Sequence, residues 1–121
     1  MRGLSSLMIL EQLIQTIDPE HPPKPCEYFD MIGGTSTGGL VAIMLGRLRM
    51  HVASCITAYT EMSDKIFRKQ RHRVKNIKGE LQARFDTEAL ETTIKDLIVK
   101  QGFDVDELMK DPEDIRGACK T

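Results

Sequence analysis

Apolar residues in the first part of the chain recur at three- and four-residue steps. Leu4, Leu7, Met8, Leu10, Leu13, Ile14 and Ile17 follow that spacing and predict an amphipathic helix over residues 2–17. Asp18-Pro19 stops it, and His21-Pro22-Pro23-Lys24-Pro25 reads as a stiff surface connection, because proline cannot continue a helix and favours extended backbone. Residues 28–33 are a short apolar run with strand character. Residues 40–50 are almost continuously apolar (Leu40, Val41, Ile43, Met44, Leu45, Leu48), which predicts a helix buried against a sheet. A further helix is expected over 52–67, with Val52, Ile56, Tyr59, Ser63, Ile66 and Phe67 on one face. Asp86-Thr87 can cap another that runs to about Lys100 on the stripe Leu90, Ile94, Leu97 and Ile98, with Gly102 as its stop. Residues 74–77 carry a weaker strand pattern, and from Asp104 onward the chain is acidic with short elements only.

This pattern is lopsided, with one clear strand against about four helices. A strand that passes through a tight turn into a buried helix, as residues 28–50 do, belongs to a sheet covered on both faces. Alone it leaves its backbone groups unpaired, at roughly 1–3 kcal/mol for each buried group. The expectation is therefore part of a larger α/β domain.

The chemistry concentrates in residues 28–45, Y-F-D-M-I-G-G-T-S-T-G-G-L-V-A-I-M-L. Gly34, Ser36 and Gly38 make G-x-S-x-G between a strand and a helix, the setting of a nucleophile elbow. A serine on that turn presents its hydroxyl outward. The positions two before and two after it approach neighbouring backbone, where a Cβ is expected to clash, so glycine fits. The Thr37 amide faces the same spot and can donate to an oxyanion, with the helix N-terminus adding partial positive charge. An inert glycine-rich loop is the plain alternative, which the flanking strand and helix disfavour. A phosphate loop would need a lysine after its last glycine, and a dinucleotide fingerprint a glycine where Ser36 stands.

Composition changes this picture little. The chain has 121 residues, enough for one domain or part of one, and its net charge of −1 gives no global attraction to nucleic acid. No apolar run reaches the roughly 18 residues of a membrane span. The N-terminal residues lack a small-residue cleavage site, and Glu11 follows closely, so no signal peptide is expected. Cys26, Cys55 and Cys119 have neither metal nor redox spacing and fit a reducing compartment. The expected location is cytoplasmic, with peripheral contact at membranes. The seven methionines read as core filler.

The segment F-D-M-I-G-G-T-S-T-G-G-L resembles the elbow of patatin-like phospholipases, fungal-type members in particular. K-P-C-E-Y-F-D before it, L-G-R-L-R-M after it and I-x-x-Y-x-x-M-S-D-K-I-F resemble that family too. The likeness covers nearly the whole chain and is most specific over 24–50. It implies that residues 1–121 are a partial patatin-like domain, an N-terminal fragment of an α/β/α sandwich with a mostly parallel sheet. It also implies a lipid acyl hydrolase of the phospholipase or acylglycerol esterase type, acting in lipid catabolism through a Ser–Asp dyad without a catalytic histidine, metal or cofactor. Ser36 matches the nucleophile, and Gly34 and Gly38 the elbow. Arg2 and Gly3 match the end of the family's G-G-G-x-R-G oxyanion loop, whose three glycines this chain does not contain. The dyad aspartate lies in a D-G-G or D-G-A motif, and no Asp-Gly pair occurs here. Asp30, on the strand, does not take that role. The alternative is a catalytically incomplete patatin-like module with a binding or regulatory role, or none.

The histidines do not supply a conventional triad base. His21 lies in the proline-rich connection, His51 between helices and His72 in a basic run, and none follows a strand end. That run holds Lys65, Arg68, Lys69, Arg71, Arg73, Lys75 and Lys78 without an acid. Its plain reading is a solvated loop. Its functional reading is contact with an anionic lipid surface, at roughly 1 kcal/mol per basic residue. No aromatic interleaves the charges after Phe67, which argues against nucleic acid.

Overall fold

The computed structural model describes residues 2–73, 79–110 and 118–121, with side chains for all of these except 66–73 and 79–86. The elements are α1 (Arg2–Ile17), α2 (Pro25–Tyr28), α3 (Thr37–Ala42), a π-helical turn (Ile43–Arg47), α4 (Val52–Arg73) and α5 (Gly79–Lys100). They divide into two compact units, Met1–Tyr59 with Glu107–Thr121, and Thr60–Asp106. No helix among the described residues is long and apolar enough to cross a membrane.

In the first unit, α1 has the predicted bounds, and Leu7 and Ile14, two turns apart, are its buried residues. Met8, Ile9, Leu13 and Ile17 stay exposed. The stiff connection and strand predicted next are corrected. Pro25 is not a surface residue but the buried first residue of α2, a position that suits proline because its missing N–H is not needed there. Glu27 Oε2 accepts from the Lys24 N–H at 3.1 Å, and the Phe29 N–H donates to the Pro25 carbonyl at 2.8 Å. Tyr28 is thus helical. Of the predicted strand only Met31 pairs, in a parallel bridge with Lys120. The Ile32 N–H donates to the Lys120 carbonyl at 2.8 Å, and the Lys120 N–H to the Asp30 carbonyl at 2.9 Å.

The continuously apolar segment after the elbow does not form one α-helix. α3 gives way at Ile43 to a wider π turn, closed by the Leu48 N–H on the Ile43 carbonyl at 2.9 Å and the Met50 N–H on the Met44 carbonyl at 3.0 Å. The next residue, Arg49, takes φ 53°, the left-handed conformation that closes many helix ends and usually falls to glycine. Met44, Leu45 and Leu48 are buried, as the run of apolar residues predicts, and so are Gly46 and Arg47. At Gly46 a Cβ would run into Thr121 Oγ1.

Arg47 is the one buried charged residue among those described. Its Nη2 pairs with Glu107 Oε1 at 3.0 Å, and Nε and Nη2 both donate to the Leu108 carbonyl, at 3.0 and 2.9 Å. The guanidinium fork suits this double donation. It ties the 107–108 segment to the turn that follows the elbow.

Cys55 is fully buried, with its Sγ 4.0 Å from Met44 Sδ. Burial pushes its thiol from an ordinary 9.0 up to about 12. Burial also raises Cys26, with the Arg49 charge opposing. On α4 the buried face of this unit is Val52, Cys55 and Tyr59. Cys55 did not figure in the predicted stripe.

The second unit holds the rest of α4 and α5, with Met62 and Leu97 buried and a 3.9 Å ion pair between Lys100 and Glu61. α4 runs to Arg73, past its predicted end at 67, so the backbone of 65–73 is helix and not loop. Lys, Arg and Gln are good helix formers, which accounts for the extension. α5 likewise begins at Gly79, ahead of the predicted cap at 86. It ends as predicted. Gly102 has φ 83°, its N–H donates to the Val99 carbonyl at 2.9 Å, and the Phe103 N–H to the Ile98 carbonyl at 3.2 Å, the two bonds of a Schellman cap. The weaker strand pattern at 74–77 lies outside the described residues.

Arg47→Met removes three charge-assisted bonds and should lower urea-unfolding stability by about 2–3 kcal/mol, whereas Glu107→Gln, at a partly exposed partner, should change it by less than about 1 kcal/mol. Cys55 binds its proton more tightly folded than unfolded. Its contribution to stability is therefore complete below about pH 9 and is lost as pH rises toward 12. Iodoacetamide at about pH 8 should modify Cys55 only after unfolding, as peptide mapping will show.

Candidate active site

Ser36 is exposed and immediately precedes α3, with φ 55° and ψ −131°. Residues with a side chain avoid this region, and occupying it costs about 1–3 kcal/mol, so the surrounding structure must impose it. The cause is a close approach of backbone to backbone. A Cβ on Gly34 would land on the carbonyl carbon and oxygen of Gly38 and lie 2.8 Å from the Gly39 nitrogen. A Cβ on Gly39 would lie 3.2 Å from the Gly34 oxygen. The chain therefore folds back on the first turn of α3, and the residue between is forced to positive φ. The Ser36 carbonyl then accepts from the Gly39 N–H at 3.0 Å and the Leu40 N–H at 3.4 Å, which starts the helix.

One expected clash is corrected. A Cβ on Gly38 would meet nothing within 4 Å. What comes close to Gly34 is the backbone of Gly38, while the Cα of Gly38 faces open space. Besides Gly34, the position whose own side chain would be crowded is Gly39, which the G-x-S-x-G pattern does not mark. The doublet Gly38-Gly39 was the available signal.

Thr37 and Gly38 are the first two residues of α3, where helix geometry leaves the N–H groups without intrahelical acceptors. Among the described residues no hydrogen bond engages the Ser36 hydroxyl. Arg2 and Gly3 are the first two residues of α1, which packs against α3. Both are therefore helical here. The Arg2 carbonyl accepts from Ser6 Oγ at 3.1 Å. A Cβ on Gly3 would come within 2.8 Å of Tyr59 Oη, a contact with no counterpart in the sequence pattern. No described hydrogen bond or ion pair joins Arg2 or Gly3 to Ser36.

Asp30 is exposed, and its backbone carbonyl serves the parallel bridge. The His21 N–H donates to Asp18 Oδ1 at 3.1 Å, and His51 is exposed at the start of α4. Of the basic run, Lys65 is exposed. The side chains of Arg68, Lys69, Arg71, His72 and Arg73, and all of Lys75 and Lys78, lie outside the described residues.

A serine held at positive φ by glycine backbone, exposed at the head of a helix, has the geometry of a nucleophile elbow. Comparison with known proteins names the family. A family model described as patatin-like phospholipase matches residues 1–114. Patatin-like protein 4 of Arabidopsis thaliana is 41% identical over 64 residues, which is 48% of this chain and 16% of that protein. Patatin-like protein 1 of Arabidopsis thaliana is 40% identical over 67 residues, 50% of this chain and 16% of that protein. Phospholipase A I of the same plant is 37% identical over 68 residues, 55% of this chain and 5% of that protein. No solved structure gives a significant match. The chain belongs to the patatin-like phospholipase family, and it spans about one sixth or less of the length of these relatives. Membership implies an α/β fold, of which the parallel bridge at Met31 is the one β pairing among the described residues.

The elbow geometry predicts opposite responses at its two motif glycines. Gly34→Ala should destabilise by about 1–3 kcal/mol through overpacking. Gly38→Ala, in open space within a helix, should be neutral or stabilise by about 0.4–1 kcal/mol. Ser36→Gly should be more stable than Ser36→Ala, because only glycine is free of the positive-φ strain. Thermal or urea unfolding of the set will check all three.

Proposed function

We propose that this chain carries the nucleophile of a lipid acyl hydrolase, with Ser36 as that nucleophile. The observation that carries the reading is the exposed Ser36 at φ 55° at the head of α3. The family, and a relative named as a phospholipase A, support a lipid ester as substrate. In this reading a base takes the Ser36 proton while Oγ attacks the ester carbonyl. The Thr37 N–H, at the positive end of α3, donates to the oxyanion. Collapse of the tetrahedral intermediate expels the alcohol, which takes up the proton and leaves an acyl-serine. Water then releases the fatty acid and restores the hydroxyl. The base is the dyad aspartate that the family resemblance implies, and no aspartate of this chain is assigned to it. Loss of oxyanion donors alone lowers rates by on the order of 100- to 1000-fold. Residues 1–121 without the aspartate and the glycine loop should therefore turn over little.

The parallel bridge between Met31 and Lys120 supports the finer fold reading, a mostly parallel sheet flanked by helices on both faces, in which this chain is a partial domain. Seven basic residues between Lys65 and Lys78 without an intervening acid support peripheral docking on anionic lipid.

A fluorophosphonate should label Ser36 in the intact protein, and Ser36→Ala should abolish labelling. Persistent labelling of the alanine variant would remove Ser36 from the mechanism. No labelling of the unsubstituted protein would favour the catalytically incomplete module.

A further inference from the structure

We infer that Tyr59 is a positioning residue for the first turn of α1 and, through α1, for the wall of the site beside Ser36. The inference rests on the reading above, in which Ser36 is the nucleophile, and on the family resemblance, in which Arg2 and Gly3 match the end of the oxyanion loop. Glycine inside a helix is less favourable than alanine by about 1 kcal/mol. Gly3 is helical and has no positive φ, so its backbone conformation does not select it. Space does. A Cβ on Gly3 would sit 2.8 Å from Tyr59 Oη, 3.1 Å from Cζ and 3.3 Å from Cε2. Tyr59 has little room to give way. It is 8% exposed and shares the inward face of α4 with buried Val52 and Cys55. The tip of a large ring thus meets the smallest residue, and the contact fixes where α1 begins.

α1 in turn packs against α3, whose first residue follows Ser36. Close-packed interiors pass such displacements on rather than absorbing them. A shift of about 1 Å at a site wall can lower rates by about 100-fold. Tyr59 touches no reacting atom in this account. It acts by holding the α1 turn in place.

The test is a double-mutant cycle in the intact protein. Its readouts are the rate of fluorophosphonate modification of Ser36 and kcat and KM on a soluble short-chain ester. Gly3→Ala should slow modification about 10- to 100-fold, with the loss in kcat and not in KM. Tyr59→Phe alone should change little. Tyr59→Phe added to Gly3→Ala should recover part of the lost rate, because the nearest clashing atom is gone. An unslowed Gly3→Ala variant, or a double variant with no recovery, overturns the inference. If Gly3→Ala does not fold, Tyr59→Leu carries the test: a lower kcat at unchanged KM supports the inference and an unchanged kcat overturns it. Absence of Ser36 modification in the unsubstituted protein is a separate failure, because it removes the nucleophile reading first and this inference with it.

Discussion

The approach of the Gly34 backbone to that of Gly38 and Gly39 is the constraint on which the first unit depends. It leaves no room for a Cβ at Gly34 and sets Ser36 at positive φ. The Ser36 carbonyl is then in place to start α3. α3 runs into the π turn, which buries Met44, Leu45 and Arg47 together. Arg47 holds the Glu107–Leu108 segment, and Thr121 packs against Gly46 beside the extended residues that enter the elbow. Strain at one serine is thus compensated by contacts spread over both ends of the unit. This is the condition under which strained backbone persists.

The π turn and the buried arginine serve the same end. An α-helix carrying so many apolar residues in succession would have to expose some of them. Widening the helix at Ile43 and closing it with Arg49 in the left-handed region lets five consecutive residues stay buried. Arg47 is tolerated among them because its Nε and Nη2 meet a backbone carbonyl and a carboxylate. The same burial acts on Cys55, whose thiol is stabilised as the neutral form in a dry apolar setting.

Much of this was legible in the sequence where the cause is local. The bounds of α1 follow from its periodic apolar residues and the Asp18-Pro19 stop. Gly102 follows from the need for a left-handed residue at a helix end. The family follows from the segment in which glycines flank one serine. Tyr28 is helical because a proline at the first helical position and a glutamate two residues on are helix-start signals, which its apolar neighbours mask. The π turn left no periodic trace, since continuous apolarity fits an α-helix equally well. Gly39, Arg47 and Tyr59 gain their roles from contacts made by folding, with Arg47 meeting a partner 60 residues away. Pattern reading has no access to those. The parallel pairing of Met31 with Lys120 is of the same kind.

The central proposal is that Ser36 is a nucleophile whose backbone the glycine contact holds in place. The most direct measurement compares the rate of fluorophosphonate modification of Ser36 in the intact protein with that in Gly34→Ala, both well below their unfolding temperatures. The account predicts that Gly34→Ala stays folded with its modification slowed by about 100-fold or more, as a displacement of about 1 Å at the reacting atom requires. An unchanged rate would contradict it, because Ser36 reactivity would then not depend on the backbone approach at Gly34.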